Sequence, residues 1–104
     1  MGNGLRYRAS YERIVELVRT LPDEMAVPAT PDWNLLGLLA HLCGAAVDLT
    51  SGNEDDWSLP SWTAAQVARG VGRSRDELLA EWSAVVDGVE ARVDNPSEIG
   101  RAHV

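Results

Sequence analysis

One apolar segment constrains this 104-residue chain more than any other: Leu35-Leu36-Gly37-Leu38-Leu39-Ala40-His41-Leu42-Cys43-Gly44-Ala45-Ala46. At 100° per residue, Leu35, Leu38, Leu39, Leu42, Ala46 and Leu49 fall on one wide stripe, which predicts an amphipathic helix over 35–50. Such a face is stable only when other elements cover it, so the chain must supply partners with matching faces. Asn34 or Asp32 is placed to accept the first free amides of the helix. His41 and Asp48 lie on the flank of the stripe, two turns apart, with Gly37 and Gly44 beside them. A glycine inside a helix costs about 1 kcal/mol against alanine. The two glycines therefore mark either a need for space, filled by a close helix or a small ligand, or a partly exposed polar edge.

The partners are helical too. Tyr11, Ile14, Val15, Leu17, Val18 and Leu21 recur at three- and four-residue spacing, predicting a helix within 5–20 that Pro22 ends. Ser10 is placed to cap a short version of it and Asn3 a longer one. Pro22, Pro28 and Pro31 keep the connection over 22–34 irregular. Thr63-Ala64-Ala65-Gln66 reads as a capping box opening a short helix to Arg69, closed by Gly70. Ser74-Arg75-Asp76-Glu77 reads as a second box, opening a helix whose core stripe is Leu78, Trp82, Val85, Val89 and Val93, with Leu79 and Val86 alongside. No alternating strand pattern occurs anywhere. The expected fold is all-α, three long helices plus one short helix.

Composition excludes several classes. A net charge of −7 argues against nucleic acid and against anionic membrane surfaces. No apolar run is long enough to span a bilayer, and the N-terminus lacks a signal core, so a cytoplasmic location is expected. Every basic residue is Arg, a bias expected of a GC-rich genome such as an actinobacterium's. The single Cys43 reads as a small buried hydrophobe, with no internal disulfide to form. Glu54-Asp55-Asp56 lack the alternating ligand spacing of a calcium loop and read as a solvated acidic turn. Trp82 falls on a core stripe, whereas Trp33, Trp57 and Trp62 are expected to clamp loops onto helix ends. The final segment, Glu98-Ile99-Gly100-Arg101-Ala102-His103-Val104, has no helical periodicity and resembles the in-frame translation of a common sequencing adapter. The expected organisation is thus one domain over 1–97 and a non-native or disordered tail over 98–104, with His103 outside the functional reading.

Pro28-Ala29-Thr30-Pro31-Asp32-Trp33, followed by a helix bearing His41-Leu42, resembles the signature of the mycothiol-dependent maleylpyruvate isomerase N-terminal domain, part of the DinB-like four-helix bundle superfamily. Trp62-Thr63-Ala64-Ala65-Gln66-Val67-Ala68 and Asp76-Glu77-Leu78-Leu79-Ala80-Glu81-Trp82 are similar to later segments of the same family, and the resemblance spans about residues 5–93. It implies a DinB-like bundle whose fourth bundle helix is missing here. It also implies that His41 is one of three ligands of a divalent metal, usually zinc. The other two, a His and a carboxylate or His one turn away, belong to that fourth helix. The implied chemistry is isomerase or transferase chemistry with mycothiol as thiol cosubstrate and an electrophilic small-molecule substrate.

One histidine cannot hold a catalytic zinc, which takes three protein ligands. Asp48 lies seven residues from His41, roughly 10 Å along a helix axis, too far to share one ion. The expectation is therefore a fragment that binds no metal and is inactive by itself. The alternative is a non-catalytic helical association module, forming a homodimer through an exposed apolar groove.

Overall fold

The computed structural model describes residues 2–28, 33–57 and 59–94. The expectations for 98–104, including His103, and for Asp32 as a cap lie outside the described residues. Four helices follow in order: α1 (Asn3–Val18), α2 (Leu35–Ser51), α3 (Pro60–Arg69) and α4 (Arg75–Asp94). No strand occurs among the described residues, and the architecture is compatible with the expected DinB-like bundle. Helix α4 is the common partner. It runs antiparallel to α1, with Gly4 beside Asp94 and Val18 beside Arg75, and parallel to α2, with Cys43 beside Glu81 and Thr50 beside Gly88. Helix α3 folds back along the far side of α2.

The core forms where α4 meets its two long neighbours. Leu39, Ala40, Cys43 and Ala46 of α2 meet Leu78, Trp82 and Val89 of α4, all buried. Each large apolar side chain removed from water here contributes about 1.5–3 kcal/mol. Trp82 also has its polar atom satisfied: its indole N–H donates to the Tyr7 hydroxyl at 2.6 Å, and Tyr11 packs edge-on at 4.8 Å. Burial pushes the Tyr7 phenol above its ordinary value. The face of α1 that reaches α4 is thus Tyr7, Tyr11, Ile14 and Val18, one turn longer than the predicted stripe. Leu17, expected in the core, is 55% exposed.

Helix ends explain most other differences. Asn34 caps α2 by accepting from the Gly37 amide at 2.9 Å, and Ser74 and Glu77 form the expected reciprocal box before α4. The Thr63–Gln66 box does not form. Pro60, with its backbone angle already set for a helix, starts α3 four residues earlier, placing Thr63 inside it and freeing Gln66 for another role. Neither Ser10 nor Asn3 caps α1; instead Asp94 accepts from the Gly4 amide at 2.7 Å across the bundle. The acidic turn is not uniformly solvated: Glu54 is 2% exposed and paired with Arg92, while Asp55 and Asp56 face solvent. Trp62 clamps its loop as expected, donating to the Asn53 carbonyl at 2.8 Å, but Trp57 is 64% exposed and clamps nothing by burial.

Arg75, the first residue of α4, closes the end of α1. Its guanidinium donates to the Val18 and Leu21 carbonyls and pairs with Asp23 at 2.6 Å. These carbonyls lie where a helix runs out of its own donors. Replacing Arg75 by Ala is expected to cost about 1–3 kcal/mol in urea unfolding, and Lys is expected to restore little, because it lacks the fork. Cys43 provides a second check. It is 0% exposed, its thiol donates to Glu81 at 3.2 Å, and burial together with that carboxylate pushes it up to about 12. A thiol reagent should therefore label Cys43 only as fast as the chain unfolds, and rapid labelling under native conditions would contradict this packing.

Candidate functional site at His41

Helix α2 presents three sides. One meets α4, and one meets α3 at close range: a Cβ at Gly44 would lie 2.7 Å from the Gln66 Cβ, and a Cβ at Gly70 would lie 2.3 Å from that of Ala40. The space marked by Gly44 is therefore filled by a neighbouring helix, and a Cβ at Gly37 would meet the Trp33 Cβ at 3.0 Å. The third side, together with α1, borders an apolar groove of about 160 Å³ whose walls include Ile14, Leu17, Leu38 and Leu42.

His41 stands between the α3 side and this groove. It follows Leu38 by three residues and precedes Gly44 by three, which places it on the shared edge of the two sides. The imidazole is half-buried, its ring centroid 5.5 Å from that of Trp33 with the planes tilted by 42°. Its Nδ1 lies 2.7 Å from Gln66 Oε1. Gln66, 1% exposed, donates through its own nitrogen to Asp48 Oδ2 at 2.9 Å. The other oxygen of Asp48 accepts from Arg69 at 2.9 Å, and Arg69 also reaches the Gly44 carbonyl at 3.4 Å. A hydrogen-bonded row thus runs from Arg69 through Asp48 and Gln66 to His41, joining α3 to α2.

This row corrects the expectation of a partly exposed polar edge. Asp48 is 3% exposed and charge-paired, which a buried carboxylate requires. The seven-residue gap between His41 and Asp48 is spanned by an amide. Gln66 and Arg69 are site residues that sequence reasoning misses. Their signal is their spacing, since residues three apart on α3 face the same side, opposite the His41–Asp48 edge. Trp33 borders both His41 and a hollow of about 270 Å³ that Ala40, Val67 and Gly70 help to line.

Among the described residues the donor set for a metal is incomplete. Among the described residues, no group of three or more His, Cys, Asp or Glu side chains could hold an ion. Cys43 is turned into the core and bonded to Glu81, whose carboxyl the Arg73 hydrogen bond holds below the ordinary range. His41 fits a metal as one corner only, through the ring nitrogen that Gln66 does not occupy. Among the described residues, no helix is long and apolar enough to cross a membrane.

Among curated proteins and among solved structures, no match to the chain is found. The family model described as the mycothiol maleylpyruvate isomerase N-terminal domain matches residues 7–102, which include every side chain of the His41 row. With that match over most of its length, the chain belongs to the mycothiol maleylpyruvate isomerase N-terminal domain family.

Proposed function

We propose that this chain is the N-terminal part of a metal- and thiol-dependent enzyme domain, with His41 as one of three protein ligands of a divalent cation, zinc. Family membership supports the link to mycothiol and isomerase chemistry. The observation that carries the residue assignment is that, among the described residues, the hydrogen bond to His41 is made at Nδ1, 2.7 Å from Gln66 Oε1. A histidine held at one nitrogen is the usual form of a metal-ligating imidazole, the other nitrogen being the donor.

In this reading the remaining ligands come from residues other than those described, on a helix that covers the groove between α1 and α2. Leu38 and Leu42 line that groove, and His41 stands at its edge on α2, so a helix seated there would run close to the imidazole. When bound, the cation would hold a low-molecular-weight thiol such as mycothiol as its thiolate, ready to attack an electrophilic substrate. The chain's own contributions are the oriented imidazole and the apolar groove at whose edge it stands. The 104 residues alone are inactive in this reading.

A second reading rests on the same groove. Its walls are apolar, and Leu17 on its rim is 55% exposed, which suits a non-catalytic module pairing as a homodimer. Light scattering distinguishes the two readings: a discrete dimer whose mass and stability ignore zinc favours the module.

For the metal reading, calorimetric titration of the 104-residue chain with Zn²⁺ is expected to give no stoichiometric complex. A chain extended by a helix bearing a His and a carboxylate or second His one turn apart is expected to bind one Zn²⁺. His41→Ala in that extended chain should abolish the complex, and an unchanged isotherm would remove His41 from the site.

A further inference from the structure

We propose that Gln66 and Asp48, backed by Arg69, are positioning residues that fix His41 as its Nδ1–H tautomer and leave the Nε2 lone pair free. The proposal rests on the reading of His41 as a ligand, but the tautomer is measurable without any metal.

Donors and acceptors alternate along the row in only one consistent way. Asp48 is 3% exposed and its Oδ1 is paired with Arg69 at 2.9 Å, so this carboxylate is an acceptor at both oxygens. The Gln66 atom facing Asp48 Oδ2 at 2.9 Å must then be the amide nitrogen, which donates. The other end of the same amide, Oε1, can only accept, and it faces His41 Nδ1 at 2.7 Å. Nδ1 therefore carries the proton, and in a neutral imidazole Nε2 is the lone-pair nitrogen.

Gln66 cannot turn over without setting its NH₂ against Nδ1–H and its carbonyl against a carboxylate. Neither can it shift away, being 1% exposed and held against the bare backbone of Gly44. An amide rather than a carboxylate in contact with the ring matters as well. It transmits the direction of Asp48's hydrogen bond while keeping the negative charge one residue removed from the imidazole.

The test is a long-range ¹H–¹⁵N correlation spectrum of the metal-free 104-residue chain, at a pH where the imidazole is neutral. A His103→Gln variant separates the His41 resonances from those of the other histidine. The expected spectrum has a pyridine-like Nε2 and a pyrrole-like Nδ1 for His41. A pyrrole-like Nε2 in the wild-type chain overturns the proposal without any variant at the row.

Asp48→Asn sharpens the test. Arg69 still donates to the one remaining side-chain oxygen at position 48, so the new amide points its N–H at Gln66. Gln66 then turns over and presents its NH₂ to His41, and Nε2 shifts to the pyrrole-like region. Adding Gln66→Glu to Asp48→Asn restores an acceptor facing both neighbours and returns Nε2 to the pyridine-like region. A merely structural role for the row would move the melting temperature but not the tautomer, so an unchanged Nε2 in folded Asp48→Asn overturns the proposal. Adding Zn²⁺ to the extended chain reports separately on the proposed function. A pyridine-like Nε2 that ignores zinc supports the positioning role and counts only against the ligand role.

Discussion

A carboxylate buried to 3% exposure organises one half of this protein. Asp48 without partners would be an uncompensated interior charge, costing several kcal/mol. Its needs explain features that are otherwise unrelated. Arg69 supplies the charge, Gln66 supplies the second donor, and both must come from a helix close enough to reach, so α3 is pressed onto α2 until only glycine fits at Gly44 and Gly70. The contact that satisfies Asp48 also seats Gln66 against His41. Stability and the orientation of the His41 imidazole therefore share one set of atoms, supplied on one side by α3.

The other half depends on α4. Its stripe of Leu78, Trp82 and Val89 is covered on both sides, by α1 and by α2, while α1 and α2 line the apolar groove between them. Helix α2 is thus asked to bury three different surfaces: small residues against α3, mixed apolar residues against α4, and leucines in the groove. That division explains its composition. A helix built only for a two-partner core would not need Gly44, Cys43 and Leu38 on successive faces.

The helices, their order and the all-α class are legible in the sequence because periodicity and caps are local properties. The second capping box and the Asn34 cap form as their spacing predicts, and Trp82 falls in the core. The departures share one cause. Thr63–Gln66 matches a capping pattern, but Pro60 starts the helix earlier and Asp48 draws Gln66 into the interior. Glu54 reads as solvated from its neighbours in sequence, yet Arg92, 38 residues away, pairs with it. Asp48 reads as an edge residue for the same reason. A local pattern reports what a residue offers its neighbours in sequence, and these three side chains are committed to partners on other helices. His41 is identifiable as a candidate through the resemblance, whereas the amide that orients it is visible only once α2 and α3 are placed together.

The way α1 is fastened bears on how the chain assembles. Its first turn is held by Asp94, 90 positions away, and its last by Arg75, 57 positions from Val18. Helices α2, α3 and α4 meet through short connections, so their contacts close small loops and are entropically accessible early. Helix α1 shares the apolar groove with α2, but both of its ends are fastened to α4, the most distant helix in the chain. Because α1 forms one wall of the apolar groove, the contacts that tie its two ends to α4 also hold that wall in place.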